Sequence, residues 1–159
     1  MTVVVSDTSP LNYLVQIECE HLLPALYERV SIPMVVLCEL ENLRTPAIVR
    51  NWLSRLPEWI VVRGACAFAD PSLDGLDAGE RHAIQLAKDE NADLLLMDER
   101  AGVTLARERG LIVTGTLGIL LQGAKRGLVD FEPALRALQN TDFRCTPSLI
   151  EEVKRRALR

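Results

Sequence analysis

The residues best placed for chemistry are four acids. Asp7 directly follows the apolar run VVVS, and Asp98 directly follows LLLM. Glu39 lies in VVLCEL and Glu80 in LDAGERHA. Each has a plain structural reading on its own. Asp7 could cap the turn before Pro10, Asp98 could be the N-cap of the next helix, and Glu39 could face solvent. Glu80 sits three residues after Asp77, the spacing of a capping box. Gathered in one place they imply more. Two carboxylates about 4 Å apart repel by about 4 kcal/mol at an effective dielectric near 20. A fold that collects three or four of them must either raise some pKa values or seat a cation. No lysine lies near Asp7 or Asp98 in the sequence to act as a built-in counterion. All-oxygen ligands favour a hard ion, magnesium or manganese, over zinc. Magnesium keeps several waters and commonly serves reactions of phosphate esters.

Other chemistries are poorly served. The sequence has no G-x-x-x-x-G-K-[ST] phosphate loop, no G-x-G-x-x-G after the first strand and no G-x-S-x-G elbow. It has two histidines, His21 and His82. On a helix His82 would face away from Glu80, so a serine–histidine triad is not expected. A receiver-like signalling domain also gathers acids at the ends of parallel strands. It needs an aspartate after the middle strand and a lysine after the last, but WIVVRG ends on Arg63 and Gly64 and LIVTG on Thr114 and Gly115.

Strands alternating with helices would position the acids. VVVS, the start of SIPMVVLCELENL, WIVVRG, DLLLM and LIVTG read as strands. In PLNYLVQI, Ser9 and Pro10 read as N-cap and first helical residue. HLLPALYERV reads as a short amphipathic piece interrupted by Pro24, and ERAGVTLARERG as a helix stopped by Gly110. PAIVRNWLSRL, LDAGERHAIQLAKDENA, TLGILLQGAKRG, FEPALRALQN and PSLIEEVKRRA also read as helices. This alternation predicts an α/β fold with a central parallel sheet of four or five strands and helices on both faces. Such sheets bind ligands beyond the carboxyl ends of their strands, where strand order reverses. Asp7 and Asp98 converge there if the first and fourth strands are neighbours.

At 159 residues the chain is read as one domain over 1–159, with 128–159 a C-terminal helical extension of it. Hydrophobic content of 48% with 25% charged residues fits a globular protein. The cysteines Cys19, Cys38, Cys66 and Cys145 are scattered, which predicts neither a zinc site nor a disulfide framework. No run of about 18 apolar residues exists to span a membrane, and no signal peptide is apparent. A cytoplasmic setting is expected. Charge is uneven: residues 1–100 carry 16 acids and 8 bases, residues 101–159 carry 6 acids and 10 bases. A basic tail on an acidic body suits a polyanion or an acidic partner, or simply a solvated helix end.

VVVSDTSPLNYL, SIPMVVLCELENL, LDAGERHAIQLA and LLLMDERAGVTLARERGLIVTGTLGILLQGAKRG, in that order, resemble the PIN-domain family of nucleases. The likeness is to PIN-like proteins related to VapC-type toxins, and it covers most of the chain to about residue 127. It implies a three-layer α/β/α sandwich and a magnesium- or manganese-dependent endoribonuclease acting on single-stranded RNA. By it, Asp7, Glu39, Glu80 and Asp98 form the catalytic acidic site, with Asp7, Glu80 and Asp98 on the metal. Ser9 is then a hydroxyl near the metal and Glu99 a second, weaker acid. The same resemblance implies an antitoxin partner and a homodimer. Arg100, Lys125 and Arg126 are expected as rim contacts for RNA. The run Ala101, Gly102, Val103, Thr104 departs from the family by lacking an arginine, and Gly102 costs a helix about 1 kcal/mol against alanine. The alternative is a PIN-like module that binds RNA or protein without cutting.

Overall fold

The computed structural model describes residues 2–64 and 71–158; Cys66 and Arg159 lie outside the described residues. The chain runs β1 (Val4–Ser6), α1 (Thr8–Gln16), α2 (Leu22–Tyr27), β2 (Val30–Pro33), α3 (Met34–Leu40), α4 (Ala47–Leu53) and β3 (Ile60–Arg63). After a single 3-10 turn at Pro71–Leu73 come α5 (Ala78–Asp89), β4 (Leu94–Leu96), α6 (Arg100–Glu108) and β5 (Val113–Thr114). Three helices follow: α7 (Thr116–Lys125), α8 (Phe131–Gln139) and α9 (Pro147–Ala157).

The five strands form one parallel sheet in the order β3-β2-β1-β4-β5. Side chains of a strand alternate between faces, and each face has its own core. Val4 and Leu96 join a cluster with Leu11, Leu14, Leu22 and Leu120. Val5, Leu95 and Met97 join a second with Ala83, Ile84 and Ala106, which belong to α5 and α6. This is the expected three-layer α/β/α sandwich. The C-terminal helices α8 and α9 bury Phe131, Leu135, Leu138 and Val153 in the first cluster. Trp52 and Trp59, with ring centroids 6.0 Å apart, pack partly buried against the same cluster.

Element bounds agree with the local signals to within about three residues, with two corrections. The first helix begins at Thr8, with Asp7 rather than Ser9 in the cap position. Pro24 does not interrupt α2: it sits in the first turn, where backbone N–H groups have no helical acceptor to lose. Gly110, at φ +81°, ends α6 as expected. Its N–H donates to Arg107 O and that of Leu111 donates to Ala106 O, the paired bonds of a Schellman stop.

Candidate active site

Strand order reverses between β1 and β4, which pair in register from Val4 opposite Leu94 to Ser6 opposite Leu96. The residues just past their carboxyl ends are therefore neighbours. Asp7 donates its backbone N–H to Leu96 O at 2.9 Å, extending the ladder by one bond. It occupies the N-cap position of α1, but its side chain makes no capping bond. Asp7 is 4% exposed, and its Oδ1 has no hydrogen-bond partner among the described residues. Burial raises its carboxyl, a bond from the Thr8 backbone N–H opposes this, and Asp77, Glu39 and Asp98 add repulsion; the result is a pKa pushed up to about 7.

Glu80 enters from the first turn of α5. Asp77 caps that helix, accepting the Glu80 backbone N–H at 2.9 Å. The expected capping spacing is thus real, yet it does not use up Glu80. Glu80 is 6% exposed, and its Oε2 also lacks a partner among the described residues. Burial, then the Asp77 side chain, Asp7 and Glu99, push its carboxyl up to about 9.

Asp98 and Glu39 are held instead of orphaned. Thr116, the first residue of α7, gives Asp98 two bonds of 2.7 Å, backbone N–H to Oδ1 and hydroxyl to Oδ2. Burial raises the Asp98 carboxyl and both Thr116 bonds oppose the rise. Glu39, half-buried on α3, accepts the Thr8 hydroxyl and, at 3.0 Å, the Gly79 N–H. Thr8 and Thr116 were missed from the sequence. The only available signal was a hydroxyl at the start of a helix beside an acid.

Close approach explains the glycines around the acids. A Cβ on Gly79 would lie 2.8 Å from Glu39 Cδ, and one on Gly115 would lie 2.7 Å from Asp98 Oδ1. A Cβ on Gly102 would lie 2.8 Å from Glu80 Oε2 and 2.7 Å from Met97 Sδ. Gly102, which looked like a costly residue in a helix, leaves the space that the Glu80 carboxylate fills. Gly102→Ala is expected to fold, because helix propensity gains about 1 kcal/mol and offsets some strain. It should nevertheless displace Glu80 and weaken manganese binding. Calorimetry showing wild-type manganese affinity in Gly102→Ala would disprove the contact.

The remaining sequence candidates separate. Glu99 is exposed and close enough to raise Glu80. Ser9 lines a recess of about 240 Å³ with Asp98, Glu99 and Arg144. Arg100 lines a larger cavity beside Asp98. Lys125 and Arg126 do not join them. Helix α7 starts at the site with Thr116 and carries these two at its far end, about 14 Å along the axis at 1.5 Å per residue.

The donor set suits a hard divalent cation. Asp7 Oδ1 and Glu80 Oε2 are buried acceptors without donors among the described residues, in reach of each other's charge. No three His, Cys, Asp or Glu side chains among the described residues form a ready-made ligand group. Magnesium needs no such cage, since it keeps several waters and takes one or two carboxylates.

The family model DUF3368, described as a PIN domain, matches residues 3–159, through the C-terminal helices. No curated protein and no solved structure matches the chain.

Proposed function

We infer, for a chain that belongs to the PIN-domain family, a magnesium- or manganese-dependent endoribonuclease that cuts single-stranded RNA. PIN domains are generally nucleases. The observation that carries the reading here is the pair of buried oxygens without a partner among the described residues, Asp7 Oδ1 and Glu80 Oε2, at the topological switch point. A stable fold leaves buried acceptors unsatisfied only at a cost of about 1–3 kcal/mol each, which a bound cation would relieve. A cation there supplies Lewis-acid stabilisation of charge on a phosphodiester and acidifies water. Asp7 and Glu80 would hold it directly. Asp98, oriented by Thr116, would complete the site from the β4 side. Glu39, fixed by Thr8 and Gly79, would orient a water or a ligand at the α3 side. Ser9 and Glu99 would line the approach to Asp98.

The same reading makes the protein the toxin half of a toxin–antitoxin pair, cytoplasmic, homodimeric and inhibited by an antitoxin. No helix among the described residues is long and apolar enough to cross a membrane. Purified protein should cleave a single-stranded RNA with magnesium or manganese, stop when EDTA is added, and resume when the ion is restored in excess. Cleavage that continues at full rate in EDTA would refute the metal-dependent assignment.

A further inference from the structure

A cavity of about 860 Å³ opens beside Asp98 and leads away from it. Arg100, Val103 and Arg107 line one wall from α6, at helical spacings of three and four that share a face. Leu149, Glu152 and Arg155 line the other from α9, at spacings of three. Met97, Val113 and Leu117 give it an apolar floor. Phe143 and Arg144 close the end nearest the acids. The Phe143 ring stands edge-on to Tyr13 of α1, with centroids 5.0 Å apart, and Asp142 lies near enough to help raise the pKa of the Tyr13 hydroxyl. These contacts pin the segment before α9 so that Arg144 shares the small recess of Ser9, Asp98 and Glu99.

The charge of this groove is unlike that of the acidic edge it joins. Its lining sets four guanidinium groups, on Arg100, Arg107, Arg144 and Arg155, against the carboxylates of Asp98 and Glu152. All four arginines are exposed, and none of their guanidinium groups makes an ion pair or hydrogen bond with the described residues. Arg100 directly follows the acids, and Arg107 stands seven residues further, about 10 Å along α6. Guanidinium groups pair bidentately with phosphate, and an apolar floor with one aromatic ring suits unstacked bases.

We propose that this groove carries the backbone of single-stranded RNA to the Asp98 edge, with Arg107 and Arg155 holding phosphates at its outer end and Arg100 and Arg144 at its inner end. This assignment rests on the ribonuclease reading and adds the path of the substrate. The C-terminal helix is then a wall of the binding site.

Binding is measured by fluorescence anisotropy with a fluorescein-labelled single-stranded RNA of mixed sequence, in EDTA so that nothing is cut. The groove variant is R107E/R155E. The control, R29E/R55E, makes the same charge change at exposed arginines that precede β2 and β3, on the amino edge of the sheet. The groove variant should bind about tenfold more weakly or worse, with a salt slope shallower by about 1.4, near 0.7 for each of two lost phosphates. The control should stay within about twofold of wild type, since it removes no phosphate contact. Both variants should melt like wild type.

Wild-type affinity in R107E/R155E, equal losses in both variants, or no wild-type binding at about 50 mM salt would overturn the path. A labelled polyglutamate peptide that binds more tightly than RNA and is lost on R107E/R155E would assign the groove to an acidic protein segment instead. RNA held by the groove but never cut with magnesium or manganese would overturn the ribonuclease reading and leave the path standing.

Discussion

Asp7→Asn should fold normally and lose RNA cleavage by about 100-fold or more. Loss of a group that merely supports a metal ligand costs about 10–100-fold, and Asp7 is placed to be a ligand itself. The substitution keeps the shape of the side chain and removes its charge. Asp7 makes no side-chain capping bond to α1, so the usual loss of about 1 kcal/mol for a missing N-cap does not apply. Its neighbours Asp77, Glu39 and Asp98 repel its carboxylate, so the metal-free variant should be at least as stable as wild type above neutral pH. Loss of activity without loss of stability separates an acid that works on substrate from one that holds a helix. Highly purified Asp7→Asn protein that cuts RNA at the wild-type rate under manganese would show that this edge of the sheet is not the active site.

Without metal, the protein should be more stable at pH 5 than at pH 8. The Asp7 carboxyl rises from an ordinary 3.8 to about 7 in the fold. Below pH 3.8 both folded and unfolded chains hold the proton, and the contribution is fully present. As pH rises toward 7 the unfolded chain ionises while the folded one keeps its proton. Stability is therefore lost as pH rises through the folded value. At 1.36 kcal/mol per pKa unit the whole shift is worth of order 4 kcal/mol for Asp7, of which about 3 kcal/mol is lost between pH 5 and pH 8. Glu80, pushed up to about 9, extends the decline in the same direction above neutral pH. For a chain of this size such a loss is on the order of 10 °C in melting temperature.

Manganese added at pH 8 should restore most of that loss, because it binds the ionised carboxylates of the folded chain and displaces their protons. Asp7→Asn should show a shallower decline with pH and a smaller manganese effect. Thermal melts in EDTA that stay flat or rise from pH 5 to pH 8 would show that these carboxylates are not crowded as described.

The sequence by itself determined the elements and the acids. VVVS and LLLM are dense apolar runs of strand length, and each can be buried on both faces only in a sheet covered by helices. That determines the layered α/β class and puts Asp7 and Asp98 at carboxyl ends. Helix stops such as Gly110 were equally legible, because a Schellman bond pair is made within one short segment.

Tertiary structure decided what the local pattern could not carry. Strand order, β1 beside β4, depends on pairing between segments some 90 residues apart, such as Val4 with Leu94, and no local periodicity encodes it. That pairing brought the two aspartates together. It also decided which glycines mattered, since Gly102 touches Glu80 only because α6 crosses the start of α5. Thr116 reached Asp98 from a helix 18 residues later. The basic residues were redistributed for the same reason. Helices in a parallel α/β fold run back along their strands, so Lys125 and Arg126 finish about one helix length from the acids. Arg144, read from the sequence only as part of a basic tail, is carried to the acidic edge, and Arg155 to the groove that leads from it, by the packing of the C-terminal segment against α1 and α7.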